Sequence, residues 1–310
     1  MPTFTNQEIL AKLESTGGEA LYQFFEIDHS DPFAPKYKAK PGVQIQPEPG
    51  EPVQLGLGLD IANWFTHRNR NRAYRDKLKS NPDLKPVVSA GDSWFSHPLL
   101  RDVINQLGDN HGYAIYSLDA AGAELSEIVD SGKWTKALED ENSKTLLVSG
   151  GGNDLMGDHF GDYLNSGIAP GSAPSTFLNS AFDHALDGVL KRYHTIATIV
   201  KNDFPEVKMF THSYDYAIPR TTGPWLGTAM RKQGIDNTSD QRAIINEVVT
   251  RFTKRLQDLA NNHAGRVFYI TRKNNVPDGA WDDEIHPTSD GFAIVGSNFA
   301  SALHAQGITP

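Results

Sequence analysis

Two apolar patterns divide the chain. From residue 85 onward, short apolar runs alternate with longer stretches in which apolar positions recur every three or four residues. The runs "PVVSA" (86–90), "YAIYSL" (113–118), "TLLVSG" (145–150), "VKMFTH" (207–212) and "RVFYIT" (266–271) predict five strands. Between them the helical period takes over. Leu186, Val189, Leu190, Tyr193, Ile196 and Val200 share one face over about 177–202. Ile244, Ile245, Val248, Val249, Phe252, Leu256 and Leu259 share another, and a last helix is expected from Gly291 to His304. Strands alternating with helices predict an α/β fold, a three-layer α/β/α sandwich on a mainly parallel five-stranded sheet. Its crossovers should be right-handed, and ligands should bind beyond the carboxyl ends of the strands.

Residues 1–84 lack this alternation. They hold a Pro- and Gly-rich passage, "AKPGVQIQPEPGEPVQLGLGLD", and a basic run, "HRNRNRAYRDKLKS". The expectation is a helix over 6–15, an irregular middle, and a second helix across 60–79 whose basic run is a solvated face. The chain then divides into an N-terminal extension, 1–84, serving as clasp, lid or oligomer contact, and a main domain, 85–310. Two connections in that domain are long, 156–176 and 213–238, and both leave from the edge where ligands should bind. Connections of this length in a compact domain are often functional. Tyr214, Tyr216 and Trp225 in the second are candidates for a substrate wall.

Composition narrows the chemistry. The 310 residues are 38% hydrophobic, 10% aromatic and 22% charged, with a formal net charge of −9. That balance argues against non-specific binding to nucleic acid or to an anionic membrane. The sequence has no cysteine, which removes disulfides, thiolate catalysis and cysteine-ligated zinc. Its start, "MPTFTNQEILAKLEST", has neither the basic segment nor the apolar run of a secretory signal. No segment approaches the roughly 20 apolar residues that span a bilayer. The expectation is a cytoplasmic protein, although a signal trimmed from the sequence would leave no trace.

Polar residues gather where the strands end. "GDSWFSHP" (91–98) follows the first strand and holds Ser93 where turn chemistry alone would explain a Gly-Asp-Ser triplet. "LDAAGAEL" follows the second with Gly122, and "SGGGNDL" ends the third with Asn153. Near the C-terminus, "WDDEIHPTSDGF" places Asp283 three residues before His286. Four such blocks, in this order and beside these elements, resemble those of the SGNH hydrolases, also called the GDSL esterase/lipase family. The resemblance covers about residues 86–305. Trp94 stands where the family name has leucine, and the glycine often found later in that block is absent from "WFSHPLL".

The resemblance implies a flavodoxin-like sheet, 85–310 as the catalytic domain, and a serine hydrolase of carboxylic esters without cofactor or metal. Ser93 would be the nucleophile and His286 its base, since neutral imidazole titrates near working pH. Asp283 would orient the ring, with Asp282 as the competing partner. The backbone N–H groups of Ser93 and Gly122 and the Asn153 amide would form the oxyanion hole. Asp92 and Asp154 are expected to close turns beneath the site, and Trp94 to crowd or line the acyl pocket. Bulky side chains and two long connections around Ser93 favour short acyl groups on soluble esters. The same machinery would serve an O-acetyl carbohydrate deacetylase or a thioesterase, and the non-enzyme alternative is a ligand-binding module on an inactive hydrolase fold. The remaining expectations are a small-molecule ester as partner, neither nucleic acid nor membrane, and compatibility with a homo-oligomer. A metal cluster of Asp282, Asp283, Glu284, His286 and Asp290 lacks a recognised ligand spacing such as H-E-x-x-H.

Overall fold

The stretch between the first two expected helices is not wholly irregular. The computed structural model describes residues 3–5, 8–9, 12, 21–28, 36–46, 57–97, 100–221, 223, 225–271 and 275–310. Within the first 84, β1 (Thr3–Thr5), a short helix α1 (Leu21–Phe24), β2 (Phe25–Asp28), β3 (Lys36–Ala39) and β4 (Gln44–Gln46) precede α2 (Leu57–Ser80). β1 pairs with β4 in parallel, and β2 with β3 antiparallel. Of the helix expected over 6–15, Glu8, Ile9 and Lys12 are helical and the rest lies outside the described residues.

The basic run was expected to be solvated, and one face of it is not. Arg70, Asn71, Tyr74 and Lys77 fall at helical spacing on α2 and turn toward the main domain. Asn71 exchanges two hydrogen bonds with the backbone of Ser117, at 3.1 and 3.4 Å. Lys77 reaches the carbonyls of Gly108 and Tyr113, and the Tyr74 hydroxyl donates to Glu141 at 2.7 Å. The reason is the edge of the sheet. An outermost strand presents unpaired backbone groups, and covering them with a helix removes that liability.

The five apolar runs become β5 (Pro86–Ala90), β6 (Ala114–Ser117), β7 (Thr145–Val148), β8 (Lys208–Thr211) and β9 (Val267–Tyr269). Their order across the sheet is β6-β5-β7-β8-β9, and all four pairings are parallel. Between them run α3 (Val103–Asp109), α4 (Leu125–Asp130), α5 (Lys133–Asp140), α6 (Gly152–Met156), α7 (Ser180–Asp203), α8 (Leu226–Lys232) and α9 (Thr238–Asn262), and α10 (Ser289–Ala305) follows β9. With right-handed crossovers the chain steps one way from β5 to β6 and the other way from β6 onward, so helices cover both faces. α3 packs on α10, while α7 packs on both α4 and α9. The strands are buried on both faces, which is why they read as continuous apolar runs.

The order reverses between β5 and β7. In open parallel sheets of this order, the crevice beyond the strand ends at such a reversal is where ligands bind. The blocks of Ser93 and Asn153 leave from these two strands.

Candidate active site

Ser93 sits in a single tight turn directly after β5. Asp92 organises it: its side chain accepts the Trp94 N–H at 3.1 Å, and its carbonyl accepts those of Phe95 and Ser96 at 3.0 and 2.8 Å. The turn therefore behaves like one capped turn of helix with Ser93 at its first position. Behind it, Asp92 also accepts Ser149 Oγ at 2.9 Å and the Tyr214 hydroxyl at 2.5 Å. Burial pushes the Asp92 carboxyl above its ordinary pKa, and these donors act in the opposite direction.

The loop before α10 brings the partner. Asp283 Oδ1 accepts the N–H groups of Ile285 and His286 at 2.8 and 2.6 Å, curling 283–286 into a closed loop. Asp283 Oδ2 lies 2.8 Å from His286 Nδ1, and His286 Nε2 lies 2.8 Å from Ser93 Oγ. A carboxylate can only accept, so Nδ1 carries the proton and Nε2 is left to accept from the serine. Burial opposes charging of the His286 ring, but the Asp283 carboxylate more than offsets this and holds its pKa above the ordinary 6.5. Burial likewise opposes ionisation of Asp283, and the imidazole and the loop N–H groups pull its pKa below 3.8. The two shifts agree: each group favours the charge of the other.

Gly122 lies in the turn after β6 with a left-handed φ of +79°, which glycine adopts without strain. Two bonds hold this turn against its neighbours: Ala120 N–H to Gly91 O at 2.8 Å, and Asn153 Nδ2 to Ala123 O at 2.9 Å. The second uses one N–H of the Asn153 amide, and the other makes no hydrogen bond among the described residues. Asn153 lines the cavity at Ser93, and Gly122 does not. Asp154 accepts the Leu125 N–H at 3.2 Å and lies 3.6 Å from Arg192, so it joins α6 to α4 and α7.

The aromatic candidates separate. Trp94 and Tyr214 line the cavity together with Met156, Ala217 and Ile285. Trp94 is also a tie: its indole N–H donates to Ile285 O at 3.1 Å, joining the Ser93 turn to the His286 loop. Tyr214 sits at φ +64°, a costly conformation for a bulky residue, and its hydroxyl accepts the Gly152 N–H at 2.9 Å. Tyr216 faces a neighbouring groove with Arg242 and Asp278. Trp225 does not line the cavity; its ring stands 6.5 Å from that of His286.

Two residues had no part in the hydrolase reading of the sequence. Glu284 is buried and accepts the backbone N–H groups of Arg220, Trp225 and Gly227 at 2.7, 2.9 and 2.9 Å. It pins the connection 213–238 to the His286 loop. Among the described residues, no three His, Asp or Glu side chains converge as metal ligands. His97 stacks edge-on against His286 at 4.7 Å, and burial together with the charge of His286 holds it well below pKa 6.5. A histidine inside the nucleophile block was the available signal for it, but nothing in the sequence links 97 to 286.

Among the described residues, no helix is long and apolar enough to cross a membrane. No family model matches the chain, and no curated protein matches it. Solved structures do align with it. A GDSL-like lipase from Bacteroides thetaiotaomicron is 13% identical over 75% of this chain and 97% of its own, with a TM-score of 0.43. A lipase/acylhydrolase from Enterococcus faecalis is 12% identical over 73% and 98%, with a TM-score of 0.42. An acetylxylan esterase from Geobacillus stearothermophilus is 13% identical over 72% and 94%, with a TM-score of 0.42. At such identities and scores, the chemistry of this chain rests on its own side chains.

Proposed function

We propose that this chain is an SGNH-type serine hydrolase that cleaves carboxylic esters through an acyl-enzyme. One observation carries the reading: Ser93 Oγ, His286 and Asp283 form a hydrogen-bonded line with both links at 2.8 Å. In the first step Ser93 Oγ attacks the ester carbonyl while its proton passes to His286 Nε2. Asp283 stabilises the imidazolium that forms. The C–O bond to the alcohol then breaks, and the alcohol leaves with the proton from His286. Water repeats the sequence on the acyl-enzyme and releases the acid. The oxyanion would be met by the N–H groups of Ser93 and Gly122 and by the free N–H of the Asn153 amide.

Short acyl groups fit the space best. The cavity at Ser93 holds about 20 Å³ and is walled by Trp94, Met156, Tyr214, Ala217 and Ile285. An apolar cavity that admits benzene is larger, roughly 150 Å³. The polar groove beyond Asp215 and Ala217, about 200 Å³ and lined by Tyr216, Arg242, Asn246, Asn275 and Asp278, favours a hydroxyl-rich alcohol. Within the esterase reading it supports the O-acetyl carbohydrate deacetylase. Catalysis is assigned to 85–310, with 1–84 as a clasp on it.

The test is turnover of p-nitrophenyl acetate and labelling by a fluorophosphonate. Wild type should hydrolyse the ester and take up one label, and Ser93→Ala should do neither while keeping its circular dichroism. Labelling unchanged in Ser93→Ala would remove the nucleophile assignment. A best kcat/KM on acyl chains of ten or more carbons would remove the small-pocket reading.

A further inference from the structure

α2 does more than cover an edge strand. Its Arg70 guanidinium is 9% exposed and enters the domain between the two loops that flank the nucleophile. Nη1 donates to Phe95 O, in the Ser93 turn, at 2.5 Å. Nη2 donates to the Asp102 carboxylate and to Asn105 Oδ1, the latter at 2.9 Å. On its other side Nη1 lies 3.9 Å from Asp119 Oδ2, at the start of the turn that carries Gly122. His67, one helical turn earlier, bonds to the carbonyl of Asp119.

Both carboxylates are built into the site's framework. Asp102 is fully buried, caps α3 through Ile104 and Asn105 at 3.0 and 3.1 Å, and accepts the N–H of His97 at 2.8 Å. His97 is the ring that packs on His286. Asp119, also fully buried, accepts Ser89 Oγ from β5 and Ser117 Oγ from β6, each at 2.6 Å. Its Oδ1 has no hydrogen-bond partner among the described residues, and burial pushes its pKa up to about 7. Two buried acids side by side repel each other and resist ionisation. The one cation the described residues place between them is Arg70.

We infer that Arg70 is a positioning residue for the reaction proposed above: its fork holds the Ser93 turn and the Gly122 turn to one point. The spacing between nucleophile and oxyanion donors then depends on a side chain from the N-terminal extension. A forked guanidinium can hold a carbonyl and a carboxylate at fixed angles, which a lysine ammonium cannot. Displacements of about 1 Å at a distance from the chemistry can cost on the order of 100-fold in rate. The loss should therefore fall on kcat and spare KM.

The inference rests on the esterase reading, so wild-type turnover is established first; its absence refutes that reading and leaves Arg70 nothing to position. Given turnover, Arg70→Met is compared with Tyr74→Phe, which breaks the bond from the same helix to Glu141 away from Ser93. Arg70→Met should lower kcat on p-nitrophenyl acetate by about 10- to 100-fold with KM within twofold. Tyr74→Phe should lower thermal stability alone. Arg70→Lys should recover stability but not the full kcat. Arg70 borders a cavity of about 250 Å³ between α2 and α3. Methylguanidinium should therefore restore kcat to Arg70→Ala where methylammonium does not. Should Arg70→Met fail to fold, Arg70→Lys decides. Wild-type kcat in a folded Arg70→Lys or Arg70→Met, or no rescue of a folded Arg70→Ala, would overturn the inference.

Discussion

Burial alone would lower the pKa of His286, and the Asp283 carboxylate reverses the sign. The activity consequence follows directly. A base must be neutral, so kcat/KM should rise with pH through an apparent pKa above 6.5. Asp283→Asn should move that limb downward and cut kcat by about 10⁴, while Asp282→Asn should leave both nearly unchanged. A pH–rate series on the three proteins checks it, and equal losses in the two variants would reassign the orienting residue. Stability runs the other way. A raised histidine pKa contributes below its unfolded value and is lost as pH climbs through the folded one. The depressed Asp283 contributes above its unfolded value and is lost as pH falls through the folded one. The pair is thus most stabilising on the acid side of the pH range in which the base works. Tyr214 is the second residue-scale case. Tyr214→Phe keeps the ring but leaves the Gly152 N–H and Asp92 without its hydroxyl. Urea unfolding should show a loss of about 1–3 kcal/mol.

Among the elements, the connection 213–238 is held by one carboxylate. Three backbone N–H groups converge on Glu284, and a Cβ on Gly223 would stand 2.1 Å from its Cδ, so glycine is required there by close approach. Glu284→Ala should cost about 3 kcal/mol or more, because it strands buried donors. Glu284→Gln should cost less, since its amide oxygen still accepts. Differential scanning calorimetry and limited proteolysis of 217–233 measure both effects, and an unaltered Glu284→Ala would remove the latch. The long periodic helices were legible in the sequence: α7 and α9 follow the stripes of Leu186 and Ile244. The helices α3, α4, α5, α6 and α8 span five to eight residues each. Little more than two turns at most carry too few apolar repeats for a period to show. α8 was accordingly read as part of a connection.

Across the whole molecule, the extension 1–84 meets the rest of the chain along α2. β6 is an edge strand, and α2 supplies the partners for its backbone at Ser117. A chain beginning at residue 85 would expose that edge and leave Asp102 and Asp119 without Arg70. It should melt at lower temperature and associate at micromolar concentration, measurable by light scattering. The segment 1–84 alone should show no cooperative thermal transition. A monomeric 85–310 with wild-type melting would make the extension dispensable.

The sequence by itself determined the parallel α/β layering, because strands buried on both faces need unbroken apolar runs and long helices need a stripe. Through the resemblance carried by its four blocks it also nominated Ser93, Asn153, Asp283 and His286, since each block is written in consecutive residues. Tertiary structure decided what depends on distance across the chain. It set Trp94 as a tie to Ile285, Tyr214 as a buried partner of Asp92, Trp225 outside the cavity lining, and Arg70 between two acids it meets 32 and 49 positions later. A charged residue on a helix looks the same in sequence whether it faces water or a buried carboxylate. Only the packing of α2 against the sheet edge, where Asn71 meets the Ser117 backbone, turned Arg70 inward.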